Sequence, residues 1–61
     1  MASELELRVN QKNHLGSLLK IKKALGDQDV PALNQEIMNV IIVMQEEDIA
    51  LVEKIVGVKA M

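Results

Sequence analysis

Residues 31–56, PALNQEIMNVIIVMQEEDIALVEKIV, decide the fold of this chain. Their apolar side chains recur at the three- and four-residue spacing of an α-helix, and no turn signal interrupts the pattern. Residues 37–44 are rich in β-branched side chains, which also suit a buried strand, but the length of the pattern favours a helix. The sequence therefore predicts one long helix over residues 31–56.

The apolar face of this helix is unusually wide. On a helical wheel it covers about half the circumference, whereas a typical surface helix has an apolar arc of about 100°. One stripe consists of Leu33, Ile37, Val40, Ile41, Met44, Leu51 and Ile55. A second stripe beside it consists of Met38, Ile42, Ile49, Val52 and Val56. One partner helix covers one stripe, so the second stripe is predicted to be an interface with another copy of the chain.

The first half of the chain carries the signals of another helix, over residues 4–25. Ser3 and Glu6 have the spacing of a capping box, in which each side chain satisfies a backbone N–H group. Gly26 supplies the left-handed residue that commonly closes a helix. Gly16 is the weak point, because a glycine inside a helix costs about 1 kcal/mol relative to alanine. It indicates a tolerated glycine or a slight bend, or else a place where another backbone approaches closely.

A short turn at residues 26–30 joins the two predicted helices. Pro31 suits the first turn of the second helix, where its missing N–H is not needed. A connection this short places two helices antiparallel as neighbours. The expected fold is all-α: a single domain over residues 1–61, formed by a two-helix antiparallel hairpin with a frayed tail at 57–61. Two such hairpins are expected to associate as a dimeric four-helix bundle.

Composition favours self-association for a physical reason. The chain has 61 residues, no cysteine, no aromatic residue and one histidine. Small scaffolds usually need disulfides, a metal or oligomerisation, and this composition leaves oligomerisation. No cofactor and no metal site are expected. The longest apolar run, Val40–Met44, is far shorter than the roughly 20 residues of a membrane span, and the N-terminus lacks a signal-peptide core, so a cytoplasmic location is predicted.

The predicted seam within the hairpin is apolar near the turn and polar at its open end. Its members are Leu7, His14, Leu18, Ile21, Leu25, Leu33, Ile37, Val40, Met44 and Leu51. Asp48 falls within the apolar face, and a buried carboxylate needs a partner. Arg8 is the favoured partner, in an ion pair that fixes the register of the helices. His14, if buried at an interface, would make assembly sensitive to pH.

Charge is unevenly distributed along the chain, although the net charge is only −2. Lys12, Lys20 and Lys23 share the outer side of the first helix, while most acidic residues lie in the second half. Such a basic face suits phosphate groups of RNA or DNA. Recognition would be weak, because the chain has no aromatic side chain to stack on bases and Arg8 is its only arginine.

Catalytic equipment is missing from the sequence. It contains no glycine-rich phosphate loop, no Ser-His-Asp arrangement and no metal-ligand spacing, so an enzyme is not expected. The predicted function is a small non-catalytic protein–protein interaction module, such as an adaptor, assembly factor or inhibitor, acting as a homo-oligomer. Two alternatives remain open: a nucleic-acid-associated regulator, and an oligomer that holds a small anion or nucleotide between Arg8, Lys12 and His14 of adjacent chains.

Overall fold

The computed structural model describes residues 3–60, and over this range the chain is helical with no strand. It contains α1 (Glu4–Leu25), α2 (Pro31–Ile41) and α3 (Glu46–Val56). The all-α prediction is confirmed, but the second half of the chain forms two helices instead of one. Met61, at the end of the predicted tail, lies outside the described residues.

Both ends of α1 are closed as their sequence indicates. The Ser3 hydroxyl accepts a hydrogen bond from the backbone N–H of Glu6 at 3.1 Å. The acidic residues of the first turn favour the positive end of the helix dipole, and the lysines of the last turn favour its negative end. Gly26 follows α1 with φ of 64°, a conformation that glycine adopts at little cost. Local chemistry therefore marks where this helix begins and ends.

The predicted long helix is wrong, because the chain leaves the helical path over residues 42–45. Consecutive β-branched residues lower the helix propensity at this point. Gln45 is extended, with ψ of 144°, and a new helix begins at Glu46. The acidic first turn of α3, including Glu46 and Asp48, favours a helix N-terminus there. The α3 members of the second stripe, Ile49, Val52 and Val56, can then pack against α1.

Helix α1 packs against both of the shorter helices. The five-residue connection makes α2 antiparallel to α1. Asp48 contacts Arg8 near the start of α1, and Val56 contacts Lys23 near its end, so α3 runs parallel to α1. The core formed between the three helices consists of Leu15, Leu18, Leu19, Ile37, Val40, Met44, Val52, Val56 and Ala60.

The buried face of α1 differs from the predicted seam. Leu15 and Leu19 are fully buried, whereas Leu7, Ile21 and Leu51 are about half exposed and His14 is exposed. The predicted seam assumes one partner helix, but α1 contacts two, so its buried face is centred between them. The remaining seam residues are buried or partly buried. His14 is exposed in the single chain, so its predicted role at an interface between copies stays a prediction.

The segment after α3 is held against α1 and is not frayed over residues 57–60. Lys23 Nζ donates to the Val56 carbonyl at 3.1 Å, and Lys22 Nζ donates to the Ala60 carbonyl at 3.4 Å. The backbone N–H of Ala60 donates to Glu53 Oε2 at 2.7 Å, and Ala60 is only 5% exposed. The lysines at the end of α1 thus satisfy carbonyls at the end of α3 and of this segment.

Gly16 lies where α1 meets α3, and we expect Gly16→Ala to stabilise the protein. A Cβ added there would lie 3.9 Å from Val52 Cγ1, an ordinary contact distance. Alanine in a helix interior should therefore raise the free energy of unfolding by about 0.5–1 kcal/mol. Gly57→Ala is the contrasting variant, because Gly57 has φ of 84° and alanine there should lower stability by about 1–2 kcal/mol. Urea unfolding followed by circular dichroism measures both, and equal shifts of the same sign would contradict the expectation.

The described part of the chain has no helix long and apolar enough to cross a membrane.

Candidate functional site: a groove between two helices and a part-buried ion pair

The structure brings together Arg8 and Asp48, the two residues singled out as a polar pair by the sequence. Arg8 Nε donates to Asp48 Oδ2 at 2.9 Å, and Arg8 Nη2 donates to Oδ1 at 2.9 Å. Nη2 also donates to Glu47 Oε1 at 3.2 Å, although the Glu47 side chain is 74% exposed. Two parallel bonds between a guanidinium and a carboxylate fix both distance and orientation. The pair therefore sets how the first turn of α3 docks on α1.

The electrostatics of the pair follow from this geometry. The hydrogen bonds from Arg8 lower the pKa of Asp48 below its ordinary value, burial opposes this shift, and the charges of Arg8 and Lys12 add to it. Asp48 in turn raises the pKa of Arg8, so both groups are charged at neutral pH. Each Asp48 oxygen already accepts a hydrogen bond from Arg8, which suits a structural ion pair better than a proton-transfer role.

A groove of about 530 Å³ lies between α1 and α3, and its lining includes Val9 and Lys12, which follow Arg8 on α1. Val9 on α1 and Leu51 and Ile55 on α3 form its exposed apolar surface, and they are 41%, 46% and 73% exposed. Its other lining residues are Lys12, Asn13, Gly16, Ser17, Lys20, Val52 and Val56. We call this feature the α1–α3 groove. It exists because α3 turns back along α1 after the break.

The lysines predicted as a nucleic-acid face have different surroundings. Lys12 and Lys20 line the α1–α3 groove, next to apolar side chains. Lys23 donates to the carbonyl of Val56 and so stabilises the end of α3. The three lysines therefore do not form one free basic surface, and nucleic-acid binding stays a prediction.

The residues predicted to hold a small anion are not assembled into a pocket within one chain. Arg8 donates hydrogen bonds to Asp48 and Glu47. His14 is exposed, and Lys12 lines the α1–α3 groove. Within residues 3–60 no group of three or more acidic, histidine or cysteine side chains is placed to hold a metal ion.

The predicted oligomer interface is divided by the fold. Val52 and Val56 are buried in the core, since α3 packs on α1, and Ile49 is partly buried against the same core. The burial of Val52 and Val56 corrects the prediction that these two residues lie on an intermolecular surface. Met38 and Ile42 remain 42% and 72% exposed, near Val43 in the sequence, which is 63% exposed. We call Met38, Ile42 and Val43 the α2-end surface.

The sequence interpretation missed the groove, because the groove depends on where α3 begins. The signal that would have revealed it is the acidic run Glu46–Asp48, which is typical of a first helical turn. Comparison with known proteins gives no match, whether to a family model, to a curated protein or to a solved structure. Function must therefore be inferred from the surface of this chain and its chemistry.

Proposed function

We propose that this protein is a small non-catalytic protein–protein interaction module that works as a homo-oligomer. The observation that carries the proposal is the amount of large apolar surface left exposed after the chain has closed its own core. Ile55, Ile42 and Leu5 are each exposed by at least 70% of their surface. In a chain this small, such apolar surface is typical of a contact site.

Two separate apolar surfaces support an adaptor, assembly factor or inhibitor over a simple self-assembling scaffold. The α1–α3 groove lies along one side of α1, and the α2-end surface lies at the break between α2 and α3. A module that uses one surface for its own copies retains the other for a different protein. Both would be buried in the complete assembly.

The proposal is tested by the mass of the protein in solution and by what it contacts in its host. Sedimentation equilibrium at micromolar concentrations is expected to give at least twice the 6.8 kDa of a single chain. A photo-crosslinking residue at position 42, introduced in the host, is expected to give an adduct heavier than the homo-oligomer.

Position 28 provides the matched control for crosslinking, because Gln28 is also exposed but lies in the polar turn. Equal adducts from positions 28 and 42 would indicate random contact and would count against the α2-end surface. A single-chain mass throughout the concentration range would refute the homo-oligomer.

A further inference from the structure

We propose that the α1–α3 groove receives α3 of a second copy, in an antiparallel two-fold dimer. This inference rests on the proposed function and adds the surface, the partner and the orientation of the contact. Leu51 and Ile55 are one helical turn apart on α3, and both line the groove while remaining exposed. In the dimer these side chains pack against their counterparts from the second copy.

The order of charges along α3 selects the second copy as the occupant. Glu47 lies four residues before Leu51 and Lys54 lies three residues after it, so all three share one face of the helix. When two such helices cross antiparallel near Leu51, Glu47 of each copy lies beside Lys54 of the other. A parallel pairing would instead place like charges together, which disfavours it.

The lysines of α1 complete this charge complementarity. Lys20 lines the groove together with Ile55, near the C-terminal end of α3. In the antiparallel arrangement, the acidic first turn of the second copy's α3 lies over this end of the groove. Glu47 of the second copy then lies near two cations, Lys20 and Lys54. At the end of the groove where Lys20 lies, the groove is thus basic and its proposed occupant is acidic.

The symmetry of the contact explains why assembly would stop at two chains. Each copy contributes the same groove and the same helix, so the interface is isologous and closes on itself. The α1 and α3 helices of both copies would form a four-helix layer around Leu51 and Ile55. The α2-end surface lies outside this contact and stays available for another protein.

Charge reversal with rescue tests the orientation. We expect Lys54→Glu to raise the dimer dissociation constant about tenfold or more, because it replaces two attractive Glu47–Lys54 contacts between the copies with two repulsive ones. Glu47→Lys should raise it at least as much, because Glu47 also faces Lys20 of the other copy. This variant also loses the contact of Glu47 with Arg8 in its own chain, so its fold is checked by circular dichroism. The double variant Glu47→Lys/Lys54→Glu restores the attraction between positions 47 and 54 but leaves a positive charge at position 47 facing Lys20, so it should dimerise at least about threefold more tightly than Glu47→Lys without reaching the wild-type constant. Sedimentation equilibrium at low salt measures all three constants.

Glu46→Lys and Lys59→Glu are the matched controls. Glu46→Lys makes the same charge change in the same helical turn, but its side chain points about 100° away from that of Glu47. Lys59 is exposed and lies beyond the end of α3. Both control variants should keep the wild-type dissociation constant. If they weaken the dimer as much as the groove variants do, net charge is responsible and the inference fails.

Ile55→Glu tests the apolar part of the contact. Ile55 is 73% exposed, so the variant should fold normally by circular dichroism and yet sediment as a single chain. A folded Ile55→Glu variant that remains dimeric would show that the copies meet elsewhere, which refutes this inference but leaves the proposed function standing. A single-chain wild type would refute both. A double reversal that dimerises no more tightly than Glu47→Lys would exclude the antiparallel orientation.

Discussion

Replacing Leu19 with alanine is expected to unfold most of the protein at room temperature. Leu19 is fully buried at the centre of the core between the three helices. A buried Leu→Ala change costs about 2–5 kcal/mol, from lost burial and from the cavity that remains. Native domains have about 0.05–0.15 kcal/mol of stability per residue, so a chain this short has little to lose.

Circular dichroism and urea unfolding measure the effect of Leu19→Ala. Leu5→Ala is the matched control, since Leu5 lies on the same helix but is 70% exposed, and its variant should stay within about 0.5 kcal/mol of the wild type. Both should be compared at one protein concentration, because association also stabilises the folded state. A Leu19→Ala variant with an unchanged midpoint would mean that the core is not centred on α1.

Helix α1 was predictable because its signals are local. Ser3 and Glu6 mark its start, Gly26 marks its end, and tertiary contacts change neither. The Arg8–Asp48 contact was also accessible from the sequence, because a carboxylate inside an apolar face requires a partner and Arg8 is the only arginine. Helix caps and the need of a buried carboxylate for a charged partner can both be predicted without knowing how the helices pack.

The break after α2 could not be settled by periodicity. The run from Val40 to Val43 is compatible with a helix, a strand or a break, and its helical spacing continues smoothly into α3. Packing outside this run favours the break, because Val52 and Val56 are buried against α1 when α3 turns back. The same non-local packing rotates the buried face of α1 towards Leu15 and Leu19.

The groove results from the same break, so an interpretation that continues one helix through residues 42–45 does not predict it. Val9 belongs to no predicted stripe, and Ile55 belongs to the face that a single partner helix would cover. Because α3 runs parallel to α1, the two helices leave the α1–α3 groove between them. The wide apolar face that the sequence indicated is thus divided between the internal core, the α1–α3 groove and the α2-end surface.

Replacing Arg8 with methionine is expected to destabilise the protein strongly at neutral pH, and less so in acid. Methionine retains the apolar stem of the side chain but removes the charge that pairs with Asp48, which is only 5% exposed. A buried carboxylate that has lost its partner is left with an uncompensated charge. The variant is therefore expected to have a much lower urea midpoint at about pH 7.

The pH dependence separates the charge of Arg8 from its packing. In the wild type the pKa of Asp48 is lowered on folding, so the stability from the pair is fully present above the unfolded pKa of about 3.9 and is lost as pH falls through the lower folded value. In Arg8→Met, burial disfavours the charged carboxylate, so protonation relieves the penalty. The urea midpoints of the two proteins should converge between about pH 5 and pH 2.5.

Asp48→Asn is the matched control for this titration, because it keeps the shape of the side chain and removes its proton equilibrium. The urea midpoint of Asp48→Asn should fall less steeply with decreasing pH than that of the wild type over the same acid range. A gap between wild type and Arg8→Met that is as wide at about pH 2.5 as at about pH 7 would contradict the assignment. The destabilisation would then come from altered packing of the substituted side chain, and the docking of α3 on α1 would not depend on the ion pair.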